Sequence, residues 1–304
     1  MSKFFKKAAI TLCFTLFTGC TAKTPPETSF NAYLPPSSEL SEEDFTLPLE
    51  AEVSPQNNVW DVSDVDISYV DLSRKLIAFT FDDGPAKTME NILAAFTDHN
   101  ERNPDCRATA TFFLNGLRIT EEMHPLLHTA HILGCELGNH TYHHHNLTTL
   151  PDEELQAEIE RTDEILCRID GKTHHLLRAP FGAINDTVKA QLQTPVINWT
   201  IDTLDWTGIP EEIIYDNVYT ARFSGAIVLF HDGYSHTVNA LKRLLADLTA
   251  DGYQVVSVSA LAKAHGCTLY NGKEYIRARK QYTGIPGMRS MHFCTKKEGA
   301  HPSF

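Results

Sequence analysis

The sequence predicts an α/β fold, a parallel sheet covered by helices and either open or closed into a barrel, with a strand number that suits a short, irregular (β/α) barrel. Three observations predict it. Short apolar, β-prone runs recur at residues 75–81, 109–115, 135–139, 175–179, 195–201, 226–230 and 254–258. Helical patterns fill the intervals; the run from Glu153 to about Ile169 is opened by Pro151-Asp152 and followed by Gly171, so strand and helix periods alternate as in βαβ units. Seven strand-like runs in about 200 residues suit a small barrel. Finally, polar clusters follow five of these runs: Asp82-Asp83, His140 to His145, Arg178, Asp202 to Asp205, and His231-Asp232. In such a barrel the loops at the C-terminal strand ends carry the chemistry, so all five clusters are expected on one face.

In chain order, Lys3, Lys6 and Lys7 precede the apolar stretch Ala8 to Phe17. That stretch is shorter than the roughly 20 residues a bilayer span needs, and the pattern is that of a targeting segment over residues 1–19. It ends in Leu16-Phe17-Thr18-Gly19-Cys20, which resembles a bacterial lipobox. Cys20 is therefore expected to carry lipid, with plain secretion as the alternative because Phe17 stands where leucine is usual. Residues 20–66 are rich in Pro, Ser, Glu and Thr and lack hydrophobic periodicity until Val65; they read as a disordered tether. Whether Asn57 to Trp60 dock on the domain is open.

The chain of 304 residues is 42% hydrophobic and 21% charged, enough for one large domain or two small ones. Its formal charge is −13, and −16 without the three lysines of the leader. An acidic chain without a basic stripe argues against nucleic acid as a partner and favours a neutral substrate. Export makes disulfides admissible. Once Cys13 leaves with the leader and Cys20 is lipidated, Cys106, Cys135, Cys167, Cys267 and Cys294 remain. Cys106 and Cys135 each lie near the start of a predicted strand and are expected to pair if those strands are neighbours. A Cys267–Cys294 bridge would close the C-terminal tail, leaving Cys167 free.

The first run leads into Thr80-Phe81-Asp82-Asp83-Gly84-Pro85, where Gly84-Pro85 ends the strand. Alone, such a segment is an Asx-rich turn. Two adjacent carboxylates at a buried strand tip repel, however, and the rest of the chain supplies partners for both. His140 and His144 are four residues apart, so one helical turn would point both imidazoles the same way. Two imidazoles and one carboxylate, with positions left open, are the donor set of a catalytic divalent metal such as Zn²⁺. Asp83 is the candidate third ligand and Asp82 the base. A cation would also relieve the repulsion between the aspartates. His124, His128 and His131 form a rival set on residues 118–133, but no acid joins them and they fall toward the opposite face. They read as a helix stripe.

At these residues the chain resembles the polysaccharide deacetylases of carbohydrate esterase family 4, with the NodB-homology fold; the five family motifs stand in order across residues 75–233. The resemblance implies an irregular (β/α)7 barrel over residues 67–265 followed by a tail at 266–304. It implies that Asp82 is the general base, that Asp83, His140 and His144 hold Zn²⁺ (Co, Ni or Mn being alternatives), and that Arg178 orients Asp82. His231 would be the general acid, tuned by Asp202 as first choice and Asp205 as second. Trp206 and Leu229 would line a pocket for the acetyl methyl, and Pro180-Phe181 would face the substrate, with a backbone N–H near Phe181 stabilising the oxyanion.

The implied activity is metal-dependent removal of N-acetyl groups, as acetate, from a GlcNAc-containing envelope polysaccharide. Peptidoglycan is favoured because a lipoprotein is held beside it; chitin oligomers and poly-N-acetylglucosamine come next. An O-acetyl ester hydrolase on acetylated xylan or cell-wall glycan is the second reading. A non-catalytic glycan-binding lipoprotein is the third, and such a protein would be expected to have lost Asp82 or His231. The expected place is the exported bacterial cell envelope, with the membrane reached through the lipid; oligomeric state is open. Two positions depart from the family pattern. His145 stands where many members have proline, which loosens the loop or adds a weak ligand, and Phe181 replaces a common tyrosine.

Overall fold

The computed structural model describes residues 58–279. The expected leader at 1–19, the lipidation site Cys20, most of the tether and Cys294 lie outside the described residues.

The chain enters with β1 (Val59–Trp60), followed by the central strand β2 (Lys75–Gly84) and helix α1 (Thr88–Arg102). Strand β3 (Thr111–Leu114), helix α2 (His124–Ile132), strand β4 (Glu136–Asn139) and helix α3 (Asp152–Asp170) come next. The short helix α4 (Asp186–Lys189) leads to β5 (Val196–Ile197) and β6 (Ile201–Asp202). Then follow α5 (Glu211–Ala221), β7 (Ile227–His231), α6 (Ser235–Ala250), β8 (Tyr253–Val256) and α7 (Val258–Ala264). The last strands are β9 (Leu269–Tyr270) and β10 (Glu274–Tyr275).

The main sheet is parallel, in the order β4-β3-β2-β7-β6, with β8 beside the first half of β2. Single parallel bridges, Asn139↔Leu177 and Leu177↔Val196, carry it on to β5. Because β5 and β6 lie on one interrupted run, whose far end pairs with β7, the sheet closes on itself as an irregular (β/α)7-type barrel. The predicted strand at 175–179 is reduced to that bridging residue, and the run at 195–201 is split into two-residue strands.

Alternation along β2 explains both the core and the site. Ile77, Phe79 and Phe81 point to the helices, where Phe81 stacks between Phe112 and Phe230, each at 5.2 Å, and meets Phe96 of α1 edge-on. Burying each of these rings contributes about 1.5–3 kcal/mol. The alternate residues Ala78, Thr80 and Asp82 face the barrel interior. Helix α3 forms as the sequence predicts. Its first turn holds Asp152, Glu153 and Glu154, which suit the positive end of the helix dipole. Gly171, at φ 78°, ends it and donates its N–H to the Cys167 carbonyl.

Three expectations need correction. Residues 58–66 are not part of a free tether: β1 pairs antiparallel with β9, and Trp60, Val62 and Val65 pack on the core. Nor is the tail after 265 separate, since Leu269, Tyr275 and Ala278 are buried and β10 pairs with β5. Apolar residues interleaved with polar ones at these ends gave no clear period. Finally, Cys106 and Cys135 are free thiols. The strands β3 and β4 are neighbours, but Thr111 pairs with Glu136, which places Cys135 beside Ala110. Cys106 lies four residues further back in a separate turn, its Sγ turned to the Tyr253 carbonyl. Among the described residues Cys267 has no disulfide partner, its Sγ lying against the Arg279 carbonyl; its expected partner Cys294 lies outside them.

Candidate active site

Parallel register puts the ends of the strands level. Asp82 pairs with His231, Gly84 with Leu114, and Leu114 with Asn139, while Asp202 pairs with Leu229. The five polar clusters therefore meet over one mouth. Their loops are tightly bent: Asp83, Thr141, His144, Phe181 and Leu204 are the non-glycine residues with positive φ among the described residues, at 58–67°. Each left-handed residue costs roughly 1–2 kcal/mol, and such conformations concentrate at functional sites.

Asp82 sits inside the barrel wall and is 3% exposed. The fully buried Arg178 reaches it from across the barrel: Nη1 donates to Asp82 Oδ1 at 2.8 Å and to Thr80 Oγ1 at 2.6 Å, and Nε donates to the Ile197 carbonyl at 2.8 Å. One carboxylate oxygen is thus held by the guanidinium. The other, Oδ2, lies 3.8 Å from His140 Nε2.

His140, His144 and Asp83 converge. Their donor atoms lie within 4.8 Å of one another. Asp83 Oδ1 is 3.2 Å from His144 Nε2 and 3.5 Å from His140 Nε2. His140 Nδ1–H donates to the Arg178 carbonyl at 2.7 Å, which fixes the tautomer and leaves Nε2 as the coordinating atom. Burial, together with the charge of His140, lowers His144 and favours its neutral, ligating form. Burial works against ionisation of Asp83, yet the hydrogen bond and charge of His140, with His144 and His231 behind it, hold the carboxyl at about 2. Two imidazoles and a carboxylate fit a divalent transition metal.

The histidines do not meet through a helical turn as their spacing suggests. Residues 140–146 form a loop that reverses at Thr141 and His144, and the two rings lie 4.9 Å apart. Asn139 Oδ1 accepts from Thr141 N–H, and Thr141 Oγ1 accepts from His144 N–H. The rival histidines on α2 have no acid among them; the metal-capable groups of the described residues lie elsewhere.

On the other side of the mouth, His231 Nδ1–H donates to Asp205 Oδ1 at 2.7 Å, and His231 N–H to Asp205 Oδ2 at 2.8 Å. Asp205, and not Asp202, thus carries the imidazole. Leu204, at φ 58°, turns the chain so that Asp205 swings beneath β7, fully buried, where Thr237 of α6 also donates to it. Asp202 stays at the strand end and accepts from Leu204 N–H; burial raises its carboxyl against that hydrogen bond. For His231, burial pulls the imidazole down, but the Asp205 hydrogen bond and the charges of Asp82, Asp205 and Asp83 outweigh it, and the net effect is upward. With Nδ1 engaged, Nε2 is the nitrogen free to handle a proton.

Around these groups Trp206 and Phe181 are exposed, while Leu229 of β7 and Pro180 are buried. Phe181 leans edge-on against His144 at 4.8 Å. Residue types alone did not single out Thr80, Asn139, Thr237 or Glu158, whose Oε2 accepts His143 N–H. Their roles arise from register between distant segments.

Comparison with known proteins gives a consistent picture. A family model described as "Polysaccharide deacetylase" matches residues 69–195. The chain is 35% identical over 193 residues to the peptidoglycan-N-acetylmuramic acid deacetylase PdaC of Bacillus subtilis, covering 63% of this chain and 40% of that protein. It spans about two fifths of the length of that relative. It is also 35% identical over 210 residues to a peptidoglycan-N-acetylglucosamine deacetylase of Bacillus cereus, covering 63% of this chain and 90% of the relative. Among solved structures it resembles the Xyl-CE4 domain of a multidomain xylanase from the hindgut metagenome of Trinervitermes trinervoides, at TM-score 0.62 and 31% identity, covering 68% of this chain and all of that one.

Proposed function

The chain belongs to the polysaccharide deacetylases of carbohydrate esterase family 4, and from that premise we propose that it removes N-acetyl groups from a GlcNAc-containing envelope polysaccharide, with peptidoglycan the favoured substrate. The observation that carries this reading is the opposition, across one mouth, of a buried carboxylate held by an arginine (Asp82–Arg178) and an imidazole held by a carboxylate (His231–Asp205). An N-acetyl group needs both: a base for the attacking water and an acid for an amine that leaves poorly unprotonated.

Asp83, His140 and His144 would hold a divalent ion, Zn²⁺ first. When bound, such an ion supplies Lewis-acid polarisation and makes water at the site more acidic. Asp82 Oδ2, the oxygen not engaged by Arg178, takes the proton of the attacking water. A C–O bond forms at the acetyl carbonyl, and electron density moves onto its oxygen, where backbone N–H groups near Phe181 would help to stabilise it. His231 Nε2 gives its proton to the departing nitrogen as the C–N bond breaks, so acetate and a free amine result. Asp205 keeps the imidazole turned for this and favours its charged form.

Peptidoglycan is supported by the names of the Bacillus relatives. Attachment to the envelope membrane through lipidated Cys20 would hold the domain beside that substrate. A second reading, O-acetyl ester hydrolysis on acetylated xylan, draws on the resemblance to the xylanase-borne domain. The test is acetate release from peptidoglycan, chitopentaose and acetylxylan, with Zn²⁺ and with chelator. Chelator-sensitive release from either N-acetylated glycan, abolished in Asp82→Asn, is expected. Release from acetylxylan alone would move the activity to the ester.

A further inference from the structure

His143 and His145 flank the ligand candidate His144 but turn away from Asp83, toward α3. Their rings stack nearly parallel, 5.2 Å apart. His143 Nδ1 lies 2.5 Å from Glu158 Oε1 and His145 Nδ1 lies 3.7 Å from the same oxygen. Glu158, on α3, is 6% exposed. Among the described residues its ion-pair partners are these two imidazoles, with no Lys or Arg beside it. The donor atoms of the three residues lie within 4.8 Å of one another, and both histidines reach solvent.

We infer that His143, His145 and Glu158 form a second divalent-metal site, taking a transition ion such as Zn²⁺ or Cu²⁺, separate from the site of Asp83, His140 and His144. The donor set is two nitrogens and one oxygen, which suits such ions and not Mg²⁺ or Ca²⁺. Ligand atoms around a tetrahedral ion with bonds of about 2.0 Å lie roughly 3.3 Å apart. His145 must therefore close by a few tenths of an ångström, while His143 backs away from Glu158. Both are exposed loop side chains. The ion takes the place of the proton that His143 Nδ1 shares with Glu158, and that proton is released to solvent. Water completes the coordination on the exposed side. His145 is what makes the site, because it supplies the second ring. Occupancy would tie the loop that carries His144 to α3.

The test counts metal and does not need activity. Tag-free protein is stripped with chelator, dialysed against micromolar Zn²⁺, and its bound zinc measured alongside proton release in unbuffered titration. Wild type is expected to hold two ions, and Asp83→Ala and His145→Ala one each. The double variant is expected to hold none. His145 is exposed, so its replacement leaves the fold intact; Glu158→Gln, checked by circular dichroism, should lower the count as His145→Ala does. Two ions in His145→Ala, or a single ion in wild type that Asp83→Ala abolishes, would overturn the second site. One ion in wild type that survives Asp83→Ala but not His145→Ala would instead overturn the first site and leave the second standing.

Discussion

Replacing Arg178 by methionine tests whether the barrel is built around its buried ion pair. The side chain has no solvent exposure. Its guanidinium lies 4.3 Å from the Phe113 ring and donates to Asp82, Thr80, Ile197 and Asn198. Methionine keeps most of the length and the aromatic packing but removes the charge. Breaking one side of a buried pair costs about 3–5 kcal/mol, chiefly because the other charge is left alone. Orphaning a buried carbonyl adds about 1 kcal/mol. A typical domain has about 5–15 kcal/mol to lose, so Arg178→Met should be folded but marginal. In the double variant Arg178→Met/Asp82→Asn the stranded charge is gone, and at least about 2 kcal/mol should return. The assay is urea unfolding of wild type, both single variants and the double, followed by tryptophan fluorescence in chelator so that no bound ion substitutes for the arginine. A cost below about 1 kcal/mol for Arg178→Met, or a double variant equal to the sum of the singles, would refute the coupling.

Three further outcomes are expected. Asp82→Asn and His231→Ala should each lower kcat on an N-acetylated glycan by about 10²–10⁴-fold while retaining the ion at Asp83, as bound-metal analysis would show. Activity should be bell-shaped in pH. The basic limb reports His231, which must be protonated and loses its proton as pH rises through its raised value. Asp205→Asn removes the charged hydrogen-bond partner and one of the three carboxylate charges that raise it, while burial still lowers it, so that limb should move to lower pH in kcat profiles. Because Cys106, Cys135 and Cys267 have no disulfide partner among the described residues, adding dithiothreitol should move Tm by no more than about 1 °C, where loss of a structural disulfide costs about 2–5 kcal/mol.

The barrel was legible because its strands are short apolar runs separated by well-marked helices, and because parallel strands must be joined by crossovers. That topology also made the shared face of the polar clusters legible, since every parallel strand ends on the same side. Boundaries were not. Trp60 and Tyr275 look like isolated apolar residues in polar ends, and only the pairing of β1 with β9 and of β10 with β5 gives them a place. The disulfide expectation failed for a related reason. Neighbouring strands bring two cysteines together only if their register does, and register between segments 29 residues apart is not written in either one.

The choice between Asp202 and Asp205 shows where a sequence reading of such a site runs out. Both aspartates follow the same short strand, and Asp202 stands at its very end, where a parallel strand delivers its functional group. What reassigns the role is a single backbone reversal. Leu204 takes a left-handed conformation that a non-glycine residue rarely adopts, and Asp202 stabilises it by accepting the Leu204 N–H. The first aspartate thereby shapes the turn, and the second, carried under β7, binds the imidazole through both carboxylate oxygens. The His140–His144 pair obeys the same logic, with reversals at Thr141 and His144 in place of a helical turn. The spacing singles out two histidines that do converge, but it is strained loop backbone, held by Asn139, Thr141 and Asp202, that brings them together.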